Sequence, residues 1–253
     1  MNAVWVLAGR ELSMQWRSPM AWTLIGIFSL LCGWTFFNLL VGYVDNIQAI
    51  PADMQSQISF LEEVVLRLYG NINFFLLFFI PPMTMRLLAE EKKQGTIDLL
   101  WAAPVSDIQI VLGKFLATWA FTLVLLIPTL LFPIVLFWAG VPDQKVLLGC
   151  YLGLALNTAC YVAVGLLASS LTDNQVIAAL LGFMFIMFTW LLSWIAQGTD
   201  NFMVAETLRW LSVTGHFETL VKGILSTSDF TYYLAFIFLS LSASVKVLES
   251  RNW

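Results

Sequence analysis

The side chains able to do chemistry in this chain gather in one run, Glu90-Glu91-Lys92-Lys93-Gln94-Gly95-Thr96, set between two long uncharged stretches. A loop that merely joins two membrane spans needs only a few polar residues. Here acids, bases and a glycine precede a segment whose spacing predicts a short helix after Thr96. Asp98 falls in the positive first turn of that helix, Ile97, Leu100 and Trp101 share a face, and Pro104 ends it. An apolar ridge beside a charged cluster suits a groove on a soluble partner. The alternative is a hairpin lying on the inner membrane surface with Trp101 as its anchor.

Other reactive types are isolated. His216 is the lone histidine, and the sequence around it supplies no second His, Cys or neighbouring Asp, so a metal site is not expected. It reads as a capping or packing residue, the alternative being a Ser–His hydrolase built across the fold. Glu62 and Glu63 are adjacent, point apart on a helix and read as solvated. Gly113-Lys114 lacks the preceding glycine and trailing hydroxyl of a phosphate loop. Cys32, Cys150 and Cys160 fall within uncharged windows without ligand spacing, which assigns them to packing.

The elements that must position these residues are membrane helices. Of 253 residues, 60% are hydrophobic and 11% charged, against about 25% charge in soluble domains. Windows 18–44, 68–85, 115–142, 146–172 and 174–199 contain no Lys, Arg, Asp, Glu or His. Each is long enough to approach the roughly 20 residues that cross a bilayer core. Residues 230–248 make a sixth span if Lys246 snorkels to the interface. The expected fold is all-α and integral to the membrane, a single transmembrane domain over 1–253. Its spans fall at about 20–44, 71–88, 108–138, 146–170, 174–197 and 230–248. The first is expected to stay as an anchor, since it is too long for a signal-peptide core.

Orientation follows from the basic residues. With the N-terminus inside, Arg10, Arg17, Arg86, Lys92, Lys93, Lys114, Lys246 and Arg251 are cytoplasmic, while Arg67, Lys145, Arg209 and Lys222 are external. Eight against four favours both termini inside. The same division puts seven acids inside and nine outside, so the external face is net −5 and the internal face +1, which together give the formal −4. No nucleic-acid partner is expected.

Residues 3–17 form an amphipathic segment with Trp5, Ala8, Leu12 and Trp16 on one face and Arg10, Ser13 and Arg17 on another, the pattern of an interfacial helix. Pro81-Pro82 predicts a kink in span two. Ser106/Gln109 and Thr172/Gln175 read as capping boxes opening spans three and five. Between spans five and six, Val204, Leu208 and Leu211, then Phe217, Leu220, Val221, Ile224 and Leu225, recur at helical spacing. Thr214-Gly215 is read as the break between these two segments, each too short to span. Gly149-x-x-x-Gly153 could permit close packing. Asn38, Asn73 and Asn157-Thr158 are the polar groups inside spans and candidates for a pathway. None is ionisable, which argues against a proton- or sodium-coupled carrier; energy, if used, should then enter from outside the bilayer.

The string Met85-Arg86-Leu87-Leu88-Ala89-Glu90-Glu91-Lys92-Lys93-Gln94-Gly95-Thr96-Ile97-Asp98-Leu99-Leu100, followed by Pro104 and Gly113-Lys114, resembles the ABC-2 type transporter permeases. It is most similar to the gliding-motility-associated branch and its nitrous-oxide-reductase-maturation relatives, and His216-Phe217-Glu218 with Lys222-Gly223 fits that branch too. The resemblance implies a non-catalytic permease subunit of an ATP-driven exporter in the bacterial inner membrane. It would pair with a second permease copy, itself or a paralogue, and with a dimer of cytoplasmic ABC ATPases carrying the ATP and Mg. No cofactor would be bound by this chain. An accessory membrane protein with an external domain is a further implied partner. Glu90 to Thr96 with Ile97 to Trp101 would be the coupling helix, residues 3–17 (Trp5, Arg10, Trp16, Arg17) the connecting helix beside it, and 202–225 the external re-entrant helices. The reading kept beside it is a non-transporting scaffold for an envelope assembly. The substrate, and whether the work done on it is export or mechanical, are not read from the sequence.

Overall fold

A computed structural model describes residues 3–49, 60–96, 105–138, 144–224 and 226–250. Six helical stretches are long and apolar enough to cross a membrane: Pro19–Ala49, Leu61–Gln94, Asp107–Phe137, Gln144–Leu171, Gln175–Gln197 and Thr227–Glu249. Among the described residues there is no strand. The chain is an all-α, multi-pass membrane protein.

The helices in chain order are α1 (Ala3–Arg17), α2 (Pro19–Ala49), a π-helical turn (Leu61–Leu66) running into α3 (Arg67–Thr84), and α4 (Ala89–Gln94). Then come α5 (Asp107–Leu125), a 3₁₀ turn (Ile127–Leu130), α6 (Leu131–Trp138), α7 (Gln144–Leu171), α8 (Gln175–Gln197), α9 (Phe202–Leu211), α10 (Val213–Val221) and α11 (Thr227–Glu249). Helix α7 is the axle: it packs against α3, α5, α8, α10 and α11. Its side chains are small or apolar on nearly every face, and Gly149, Gly153, Gly165 and Ala168 let neighbours approach. Lipid tails are as apolar as leucine, so close van der Waals contact and buried hydrogen bonds must hold such a bundle. The large exposed hydrophobics lie on the outer helices, including Leu30, Trp34 and Phe37 on α2, and Met184, Phe188 and Trp194 on α8.

Several sequence expectations meet different geometry. Pro81 and Pro82 remain inside α3, and the helical ladder is interrupted just after it, at Met85–Leu88. Two missing N–H donors weaken the turn, and the Thr84 hydroxyl takes up the carbonyls of Ile80 and Pro81, at 3.2 Å each. The Ser106/Gln109 capping box forms in both directions. The Thr172/Gln175 box does not. Asn174 caps α8 by accepting from Val176 N at 2.9 Å, and Thr172 Oγ1 accepts from Asn174 N instead. An Asx cap one residue before the helix outcompetes a more distant threonine. The break between the external helices is Ser212, which caps both, while Thr214 and Gly215 lie inside α10. The segment Ile97 to Trp101, with its expected helix, lies outside the described residues, as does Leu225.

Candidate functional site at the charged corner

Alpha-helix α4 is six residues long, far too short to hold itself in water, and its N-cap residue Leu88 offers no side-chain acceptor. The acceptor comes from another helix. Ser169 Oγ on α7 accepts from the backbone N–H groups of Leu88 and Ala89, at 3.1 Å each, and donates to the Met85 carbonyl at 3.1 Å. The C-terminal end is closed by Gly95 at φ +68, with backbone bonds from Gly95 and Thr96 back to Lys92 and Glu91. Lys92 Nζ donates to the Ser170 carbonyl, placing a cation at the negative end of α7. Both ends of α4 are thus tied to the last turn of α7.

The second tie is ionic. Lys114 on α5 is only 5% exposed, and its ammonium lies 2.7 Å from Glu91 Oε1 of α4 and 3.3 Å from Glu11 Oε2 of α1. One turn further along, Gln15 Nε2 donates to Thr118 Oγ1 at 2.9 Å. Close approach of α1 to α5 requires Gly113, where a β-carbon would stand 2.9 Å from Leu7 Cβ and 3.3 Å from the Val4 carbonyl. A lysine between two carboxylates offsets its own desolvation only because both partners are present. The corner is a three-helix clamp on α4.

Six of the candidate coupling residues therefore divide by role. Glu91 and Lys92 point inward and anchor the helix, while Glu90 is half-buried and accepts from Gln94 Nε2 at 3.1 Å. Lys93, Gln94 and Gly95 are exposed. On α1, Ala8 is buried, Trp16 packs edge-on to Phe121 at 5.5 Å, and Trp22 Nε1 donates to the Trp16 carbonyl. Arg10 and Arg17 are exposed, and Trp5 is 67% exposed and turned away from the bundle. The role of Gly113-Lys114 is not legible from spacing, since Glu11 is 103 residues away in the chain.

The intramembrane amides separate. Asn157 Nδ2 donates to Asn73 Oδ1, joining α7 to α3 in the core, whereas Asn38 faces outward and donates to the Trp34 carbonyl of its own helix at 2.8 Å. All three cysteines are buried and free.

At the opposite end, tertiary structure corrects the reading of His216 as lacking an acidic neighbour. Asp229, at the start of α11, sits 2.6 Å from Nδ1, and Nε2 lies 2.9 Å from the Trp210 carbonyl. Thr219 Oγ1 donates to the other Asp229 oxygen at 2.8 Å, and Tyr232 stacks on the imidazole with centroids 4.0 Å apart. A carbonyl can only accept, so Nε2 carries a proton. Neither ring nitrogen is left to activate a hydroxyl, which removes the geometric basis for a hydrolase. The group is a buried clasp joining α9, α10 and α11. Phe217 is buried beside it, and Glu218 is half-buried. Replacing His216 by alanine leaves the Asp229 carboxylate short of a partner and should cost about 2 kcal/mol. A lowered melting temperature in detergent, with the protein still inserted, is the expected reading. Helix α9 buries none of its own residues, and Phe202, Met203 and Trp210 stay exposed among the described residues.

Six helices long and apolar enough to cross a membrane, a clamped polar helix at one end and short amphipathic helices at the other define a polytopic membrane domain. The model of the ABC-2 family transporter proteins matches residues 5–248, and the chain belongs to that family. It is 29% identical over 182 residues to the probable multidrug ABC transporter permease YbhR of Escherichia coli (strain K12), and equally to its counterpart in Escherichia coli O157:H7. The matched region covers 64% of this chain and 47% of each relative, so the chain spans about half the length of the curated relatives it matches.

Loss of the Ser169 cap offers a direct test of how α4 is held. Ser169→Ala removes the acceptor from two buried N–H groups and should destabilise the corner by about 1 kcal/mol. Hydrogen exchange at Leu88 and Ala89 should quicken while the core of α7 stays protected.

Proposed function

We propose that this chain is the membrane-spanning permease subunit of an ATP-driven ABC exporter, with α4 and the residues that follow it as the element that engages a cytoplasmic ABC ATPase. ATP and Mg would be bound by that partner, and the permease would act with a second permease copy. Both termini face the cytoplasm of a bacterial inner membrane in this reading, as the distribution of Lys and Arg favours. The family match over nearly the whole chain supports the class. The observation that carries the mechanism is the clamping of α4 to α1, α5 and α7. A short helix tied at both ends moves as a unit with the spans, so force on its exposed side reaches the bundle without being lost in local bending. A partner drives the exchange of conformations only if its nucleotide states contact that side differently. The charged string through Gly95 and Thr96 further supports placement in the gliding-motility-associated branch, where an accessory membrane protein with an external domain would assemble beside the permease. At the other face, α9 and α10 would close the pathway as re-entrant helices, the exposed face of α9 lying in the outer leaflet.

The exposed and anchoring residues of α4 make this testable. Lys93→Glu reverses an outward charge and leaves the Glu91–Lys114 and Gln94–Glu90 contacts untouched. Co-purification with the ATPase should fall about tenfold, equivalent to about 1.4 kcal/mol, at unchanged melting temperature. Normal recovery of the ATPase and normal coupled hydrolysis would refute docking at α4.

A further inference from the structure

Helix α2 is the least covered of the six long helices, and one side chain on its outward face does not suit lipid. Asn38 lies about 10 Å at helical rise from Asp45, the charged residue near the C-terminal end of α2. A short amide does not reach across that distance to water. One Nδ2 hydrogen donates to the Trp34 carbonyl at 2.8 Å, and the amide is exposed. Its second hydrogen and Oδ1 meet no partner among the described residues. Lipid tails offer none, so an amide at this depth is stabilised by a neighbouring helix. The outward threonines differ: Thr23 and Thr35 give their one hydrogen to the carbonyls of Met20 and Leu31, at 2.9 and 2.8 Å. Around the amide, Leu31, Thr35, Asn38, Gly42 and Asp45 recur at alternating steps of four and three residues, the spacing that keeps one seam against a neighbouring helix. A β-carbon at Gly42 would meet nothing within 4 Å, so another backbone can come close one turn from the amide. Phe28, Cys32 and Phe36, on the other side of α2, are buried in the bundle. The chain that leaves α2 returns at Phe60 against Tyr43, with ring centroids 4.8 Å apart. Tyr43 is two turns beyond Phe36 on that buried side and away from the seam.

We propose that this seam pairs α2 with α2 of a second copy of this chain, the two Asn38 amides bonded to each other across a two-fold axis. An amide both donates and accepts, so the same residue on a two-fold-related copy meets both unspent groups at once. No different partner chemistry is called for. Two copies inserted the same way up run their α2 helices parallel, the arrangement in which one asparagine on the seam fixes register and partner number. The inference rests on the reading of this chain as one permease of a pair. It adds the surface that the pair shares and the identity of the partner as the same chain.

The test is disulfide cross-linking of the full chain in liposomes, with energy transfer between differently labelled copies to measure self-association. Asn38→Cys and Leu31→Cys should each give a covalent dimer on oxidation. Leu30→Cys and Phe37→Cys, exposed positions off the seam, should not, and the three native cysteines are buried. Asn38→Leu should weaken self-association about fivefold without lowering the melting temperature of the separated chain, since it removes a polar group from a lipid-facing surface. Asn38→Gln should retain most of the association. Association unmoved by Asn38→Leu, or cross-links from Phe37→Cys and not from Asn38→Cys, overturns the seam and leaves the permease pair standing. Pairing solely with a different permease chain overturns the identical partner. A chain that cross-links nowhere and shows no energy transfer overturns the seam and the pair together.

Discussion

Lys114→Met should destabilise the protein by about 3–5 kcal/mol, the range found when one partner of a buried ionic cluster is removed. The Lys114 side chain is 6% exposed, and Glu11 and Glu91 are 15% and 20% exposed. Methionine fills the space of the alkyl stem but leaves two carboxylates facing each other across a gap that water reaches poorly. The expected result is a sharply lowered melting temperature in detergent, with α1 and α4 the first segments to lose protection from exchange. The comparison that decides the cause is the triple variant Glu11→Gln, Glu91→Gln and Lys114→Met. Removing all three charges together should recover most of the loss, because the penalty lies in the uncompensated acids and not in the missing cation. If the triple variant is as unstable as the single one, the lysine acts through packing alone. This corner also separates two effects that a charge reversal at Glu90 and Glu91 together would confuse. Reversal at Glu91 breaks the clamp, and only outward positions such as Lys93 report on a partner.

Gly149→Ala should be nearly as damaging, about 3 kcal/mol, the upper end of the overpacking range. An added β-carbon would run into the Leu220 carbonyl, with the Gly223 Cα 3.4 Å away. The obstacle is backbone, so no rotamer change relieves it, and α10 must move off α7. Gly153, one turn on, faces the Phe217 ring at 3.1–3.2 Å, which extends the same close contact along the pair. The matched control is Gly182→Ala, where the new carbon would meet Ala168 Cβ at an ordinary 3.6 Å. That variant should change stability by less than about 0.5 kcal/mol, as substitutions away from special features do. Equal melting temperatures for the two variants would mean that α10 does not rest on α7 as described. A shift confined to Gly149→Ala, accompanied by faster exchange in α9 and α10, is the expected pattern.

The spans were legible because a bilayer imposes length and apolarity on each crossing separately, and both are properties of contiguous sequence. The boundaries of α1 over 3–17 and the Ser106/Gln109 capping box came from equally local rules, hydrophobic spacing and a side chain three residues from its target. Contacts between distant residues were not legible. Nothing in the spacing of Glu11, Glu91 and Lys114 joins them, because the links cross 103 and 23 residues of chain. Ser169 looked like one more small residue of a packed helix until the bundle set it against the open N–H groups of α4.

His216 shows the same division at the other face. Its solitude in the sequence gave no sign of its acidic partner, which is 13 residues away across a helix junction. Asn38 and Asn73 are the same residue type within apolar helices, and only packing sends one to the bundle exterior and the other into a core bond with Asn157. What the sequence determined alone was an all-α chain with six helices long and apolar enough to cross a membrane, since each such helix must satisfy its own backbone and shed its own charge. What tertiary structure decided was which polar groups meet. Such groups are stable in low dielectric only in pairs, and a pair is a property of two segments brought together.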